Sequence, residues 1–156
     1  MNKKGFTLTE LLAVIVIIGI ISLIAIPNIV NISENVKKDN MLNDAKRFIS
    51  LAKLAVNSDY DIRNFSKTGV CNESSKYCDF KITDLNKNGD FKINESGKII
   101  DADGLSYDSL SYVRYEKNDN ELKYCIYLKS EKRYLSSATA ANCVDEKLLT
   151  DRDIVK

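Results

Sequence analysis

The residues whose types and spacing suit chemistry are four cysteines and one run of oxygen-bearing side chains. The cysteines are Cys71, Cys78, Cys125 and Cys143, in a chain of 156 residues that has no histidine. Without histidine there is no Ser-His-Asp or Cys-His catalytic site, no usual His-containing zinc hydrolase site, and no imidazole to activate a thiolate. Four thiols form disulfides readily outside the cytosol, and three connectivities are open. A zinc site built from all four thiolates fits less well. Six and seventeen residues separate successive partners, without paired C-x2-C hooks.

The oxygen-rich run is Asp84-Leu-Asn86-Lys-Asn88-Gly89-Asp90-Phe91-Lys92-Ile-Asn-Glu95, which fits the calcium-loop pattern D-x-[DN]-x-[DN]-G-x5-E. Asp84, Asn86 and Asn88 would offer side-chain oxygens, Asp90 its carbonyl and Glu95 a bidentate carboxylate, with Gly89 making the sharp turn. Other features oppose calcium. Lys92 stands at a ligand or water-bridging place, and Phe80–Thr83 and Lys98–Ile100 look like strands rather than flanking helices. The expected reading is an Asn-Gly turn in a surface hairpin, with a weak calcium site as its alternative. Asp101 and Asp103, in a second turn, would supply further oxygens.

The elements that position these residues begin with an apolar segment. Residues 11 to 26 read LLAVIVIIGIISLIAI without a charge. With Phe6 and Leu8 the segment covers about 21 residues, or roughly 31 Å as a helix, close to a bilayer's hydrocarbon thickness. Glu10 lies near its start, where a carboxylate in lipid is costly. Lys3 and Lys4 precede it and favour a cytoplasmic N-terminus. An ordinary secretory signal requires a small-residue cleavage site after the apolar run, and Ala25-Ile26-Pro27-Asn28 is a poor one. The mean hydropathy of the whole chain is nevertheless −0.24, so the apolar residues are concentrated here. Lys plus Arg is 23 and Asp plus Glu is 22, a balance that argues against a nucleic-acid binder held by phosphate neutralisation.

The string KKGFTLTELLAVIVIIGIISLIAIP resembles the leader and N-terminal helix of type IV pilins. The resemblance is specific over Lys3 to Pro27 and fades beyond about residue 60. It implies that a prepilin peptidase cuts after Gly5 and methylates Phe6, and that pilus assembly machinery receives the product. It also implies an assembly role for Glu10, which would meet the Phe6 ammonium of a neighbouring subunit. A paired charge is tolerated in an apolar setting where an isolated one is not. Glycine suits residue 5 because its bare backbone admits close approach.

Helical periodicity continues past the apolar segment. Ile29, Ile32, Val36, Ala45, Phe48 or Ile49, Ala52 and Ala55 or Val56 recur mostly every three or four residues. No glycine or proline lies between Asn28 and Tyr60. One helix is predicted from about Phe6 to about Ser58, roughly 80 Å long, too long for a small globule to bury, so about half should protrude. Pro27 removes a backbone donor inside it and should kink it, and Gly19 is a second soft point. The resemblance implies that the stretch between them can unwind in a filament.

From about residue 61 Asn, Asp, Ser, Lys and Tyr dominate and the helical period is lost. Ser111–Lys117 and Glu121–Lys129 alternate as strands around an Asn118-Asp119-Asn120 turn, and Arg133–Ala138 is a candidate third strand. The tyrosines in these strands are expected to straddle core and solvent. The fold class expected is α+β, a long protruding N-terminal helix packed on a small antiparallel sheet. Pilins usually close a C-terminal disulfide loop where Cys125 and Cys143 stand, which favours pairing 125–143 together with 71–78.

The organisation expected is a leader over 1–5, an apolar assembly half-helix over 6–27 and a head over 28–156. The resemblance implies a non-enzymatic, single-pass membrane precursor that polymerises with its own copies into an extracellular filament for adhesion, motility or biofilm. Minor pilins and secretion or competence pseudopilins share the leader and remain alternatives. A membrane-anchored extracellular binding domain that never polymerises is the alternative of another class.

Overall fold

Helix α1 spans Leu8–Asn57, fifty residues, in agreement with the unbroken helical period of the sequence. The computed structural model describes residues 7–57, 77–86, 89–118, 121–135, 138–139, 141–150 and 153–155, apart from the side chains of 24–28 and 117–118. The chain divides into two compact units, Met1–Val36 and Lys37–Lys156.

In the first unit the described element is α1 alone. Its large apolar side chains are exposed, from 45% at Val14 to 81% at Leu8. Pro27 lies within the helical assignment, and Ser22 Oγ donates to the Ile18 carbonyl at 2.7 Å. Among the described residues no helix is long and apolar enough to cross a membrane. The apolar run of the sequence continues through positions 24–26, whose side chains lie outside that description. The stripe expected to be buried along α1 needs one correction. Ile29, Ile32 and Val36 are exposed, because this unit has no second described element to cover them.

In the second unit α1 does carry a buried stripe, formed by Met41, Ala45, Phe48, Ile49 and Ala52. The spacing of four, three, one and three keeps them on one helical face. Phe48 stacks on Phe91 with ring centroids 3.9 Å apart and meets Tyr107 edge-on at 6.3 Å.

Four antiparallel strands form the main sheet, in the order β1-β2-β3-β5. They are β1 (Tyr77–Lys81), β2 (Tyr112–Asn118), β3 (Glu121–Tyr127) and β5 (Val144–Asp145). Register puts Phe80 opposite Val113, Val113 opposite Ile126, and Ile126 opposite Val144. These four and their alternate neighbours Cys78, Tyr115 and Tyr124 are buried and share one sheet face, as a period of two requires. The other face carries Asp79 opposite Arg114, joined by two hydrogen bonds of 2.6 and 2.8 Å. Arg114 also lies over the Tyr77 and Tyr112 rings. Five tyrosines, 107, 112, 115, 124 and 127, are buried, more deeply than straddling side chains would be.

The candidate strand Arg133–Ala138 is corrected. Among the described residues it gives strand β4, Tyr134–Leu135, which pairs with β6 (Ile154–Val155) in a separate two-stranded sheet. Ser130 N donates to the Arg133 carbonyl at 2.7 Å, which turns the chain tightly after β3 and leaves the edge at Cys125 and Ile126 to β5. Residues 80–83 are part strand and part helix, since β1 runs straight into a single helical turn, α2 (Ile82–Leu85). Lys98–Ile100 contributes only isolated bridges, Ile93 to Ile99 and Ile100 to Ser106. Gly97 and Gly104 close the intervening turns with φ of 73° and 78°.

Candidate functional site

The start of α1 is built by a reciprocal cap. The Thr7 carbonyl accepts from Leu11 N at 3.2 Å, which makes Thr7 the residue that opens the helix. Thr7 N and Thr7 Oγ1 each donate to Glu10 Oε2 at 2.9 Å. Glu10 N donates back to Thr7 Oγ1 at 3.3 Å. Thr-x-x-Glu is the capping-box pattern, which satisfies helix donors that otherwise have no partner. That signal stands in the sequence as Thr7-Leu-Thr-Glu10. The carboxylate thus has a partner inside its own chain. Gly5 and Phe6, the expected processing residues, lie outside the described residues. Gly19 lies in α1 with open space where a Cβ would stand.

The calcium-like run is distributed over three local structures. Asp84 lies in α2, and Asn86 follows it. Asn86 Oδ1 accepts from Phe91 N at 3.0 Å, and its carbonyl accepts from Gly89 N at 3.2 Å. Gly89 has φ of 73°, as the turn requires. The Asp90 carbonyl, the oxygen that the pattern assigns to a cation, accepts from Arg47 Nη2 at 2.7 Å. Glu95 is exposed in the Asn94–Gly97 turn. Asn88 lies outside the described residues. Among the described residues no three His, Cys, Asp or Glu side chains group as a metal site.

Cys125 and Cys143 form a disulfide with Cα atoms 5.3 Å apart, a usual separation. Register places Cys125 opposite Asp145, so the bridge joins the central strand β3 to the chain entering β5. Cys78 is also disulfide-bonded, and Cys71 lies outside the described residues.

A buried ion pair organises the loop after Ile100. Arg133 Nη1 meets Asp103 Oδ2, with both side chains almost wholly inaccessible, and Lys37 Nζ approaches Asp103 Oδ1 at 2.7 Å. Asp101 Oδ1 accepts from Asp103 N at 2.8 Å and Leu105 N at 3.0 Å. The sequence offered no signal for the Arg133 pairing, since its partner is thirty residues away.

Residues 1–26 match the family model described as the prokaryotic N-terminal methylation motif, the class III signal of type IV pilins. No curated protein and no solved structure matches the chain. The motif points to a structural protein, a type IV pilin-like or pseudopilin precursor.

Proposed function

We propose that this chain is a structural subunit of a type IV pilus. A prepilin peptidase cuts after Gly5 and methylates Phe6, and α1 then carries the subunit from the membrane into a surface filament. The observation that carries this reading is the methylation motif over residues 1–26, set directly at the start of a fifty-residue helix. The exposed apolar side chains of the first unit support it, because a contiguous apolar surface of that extent in water needs a partner or a bilayer. Before assembly the bilayer covers the apolar half-helix over 6–27, which serves as the anchor. In the filament, copies of the same helix do so.

Within this reading Glu10 changes partners. In the single chain it caps α1 through Thr7. In the filament it meets the Phe6 ammonium of another subunit, which offsets the cost of its charge in an apolar setting and fixes axial register. The α+β head needs no catalytic residue for this task.

Minor pilins and pseudopilins carry the same signal, so the motif supports them equally, and abundance in purified filaments separates them from a major pilin. Mass spectrometry of the mature N-terminus tests the central claim. The expected result is a chain beginning at a methylated Phe6. A chain that keeps Met1 on the cell surface overturns it and leaves a membrane-anchored binding domain, and a chain that begins beyond Ala25 overturns it in favour of a cleaved secretory signal.

A further inference from the structure

A second set of short antiparallel pairings runs through the head. Isolated bridges join Ile100 to Ser106 and Tyr107 to Ser130. Tyr107 N donates to the Ile99 carbonyl at 2.9 Å, and Asp108 N donates to the Lys129 carbonyl at 2.7 Å. That register sets Lys98, Asp108 and Lys129 in one cross-strand row and Ile99, Tyr107 and Ser130 in the next. The second row is buried, while Lys98 and Lys129 of the first are exposed, as alternation along a strand requires. The two lysines flank Asp108 and stand two strand spacings apart, about 10 Å between Cα atoms.

A cleft of about 610 Å³, a size usual for ligand pockets, is lined by both rows and by Ile82 and Thr83 of α2. Ile82, Ile99 and Tyr107 are buried and give it an apolar wall. The polar groups are of both signs. Lys98 and Lys129 have no ion-pair partner among the described residues. Asp108 Oδ1 accepts from Leu110 N at 2.9 Å, which leaves Oδ2 as an acceptor. Ser106 Oγ accepts from Asn94 Nδ2 at 3.0 Å and keeps its own proton to donate. Thr83 and Ser109 add exposed hydroxyls, and Glu131 an exposed carboxylate.

We infer that this cleft binds an acidic saccharide, a sugar unit bearing one carboxylate. The ligand carboxylate lies between Lys98 and Lys129, where each ammonium gives a charge-assisted hydrogen bond. The ring hydroxyls donate to Asp108 Oδ2 and exchange hydrogen bonds with Ser106, Thr83 and Ser109. The apolar wall takes the C–H face of the ring, as a mostly apolar pocket with a few placed polar groups does. Charge decides against other anions. Two lysines against Asp108 and Glu131 leave no net positive charge on the lining, so a phosphate dianion is repelled as strongly as it is attracted. A bare carboxylate would leave the hydroxyls and Asp108 without partners. The cleft lies wholly in the second unit, so the inference does not rest on polymerisation.

The test is saturation-transfer NMR of the full chain in sugar-free neutral detergent micelles. The probes are glucuronate and N-acetylneuraminate, with glucose and acetate as controls. Saturable transfer to at least one acidic sugar is expected, with weaker transfer to glucose. Lys98→Gln and Lys129→Gln should each weaken binding about tenfold, the loss of one hydrogen bond to a charged group. Both lysines are exposed, so the variants should melt as the native chain does. Lys123→Gln, exposed on β3 and outside the cleft, should bind as the native chain does. No saturable transfer to either acidic sugar overturns the proposal, as does binding that survives both lysine variants. So does equal binding of glucose, which would make the lysines irrelevant. Displacement by acetate at the same concentration as the sugar overturns it too, since any small anion would then suffice.

Discussion

Thr7 and Glu10 satisfy each other at the first turn of α1, with two donors of Thr7 on one Glu10 oxygen and the Glu10 amide returned to the Thr7 hydroxyl. A residue whose charge is proposed to join subunits therefore also holds its own helix start. The two roles separate by substitution. Loss of a cap costs about 1 kcal/mol of helix stability. Glu10→Gln keeps an acceptor for Thr7 but no charge for an ammonium, whereas Thr7→Ala removes the cap and leaves the charge. Sheared-filament yield should fall strongly in Glu10→Ala and modestly in Thr7→Ala. Glu10→Gln should fall between them. Abundant filaments from Glu10→Ala would falsify the register role.

Gly5→Ala should be processed at least in part and Gly5→Val should not, because cleavage after residue 5 needs close access to the backbone. Immunoblotting for the longer precursor reads this directly. Normal processing of the Val variant counts against a glycine-dependent peptidase.

Cys125→Ser or Cys143→Ser should destabilise the head. The bridge closes a sequence separation of 18, for which the chain-entropy model gives about 3 kcal/mol. Position adds to this, since the bridge holds β5 against β3, the strand between β2 and β5. Denaturant midpoints of the Ser variants should drop more than that of Cys78→Ser. A larger loss from Cys78→Ser would reverse this ranking.

Arg133→Met should cost about 3–5 kcal/mol, because it leaves Asp103 buried with only Lys37 as a cationic partner. Asp103→Asn in the same chain should recover part of that loss, since the stranded charge is then gone. Thermal melts of the two single variants and the double variant measure the coupling. Additive losses would show that the pair contributes nothing as a pair.

Asp44 sets a pH dependence of stability. Its folded carboxyl titrates above the ordinary value of 3.8, so the folded state holds the proton more tightly than the unfolded one. Stability from this group is therefore lowest above the raised value. It grows as pH falls from there toward 3.8, and is then fully present. Asp44→Asn should stabilise the protein at pH 7, with a gain that shrinks as pH falls through that window. Urea midpoints at several pH values follow it, and a variant less stable than the native chain at pH 7 contradicts it.

The sequence by itself determined what is local. The KKGFTLTE leader string, the three-to-four residue period of α1 and the alternation of Tyr112–Asn118 and Glu121–Tyr127 each depend on neighbours a few residues apart. They were readable, and so was the Thr7–Glu10 cap, whose pattern spans four residues. The tertiary structure decided what depends on distant pairs. It chose β5, rather than residues after Arg133, as the partner of β3. It gave the Asp90 carbonyl to Arg47, 43 residues away, and Asp44 to Tyr107, 63 residues away. It buried Asp103 with Arg133 and left one oxygen of Asp101 without a donor. In an Asn- and Asp-rich loop many side chains look alike as ligands. Which oxygen is satisfied and which is not follows from packing against α1 and β2–β3, and no local pattern encodes that packing.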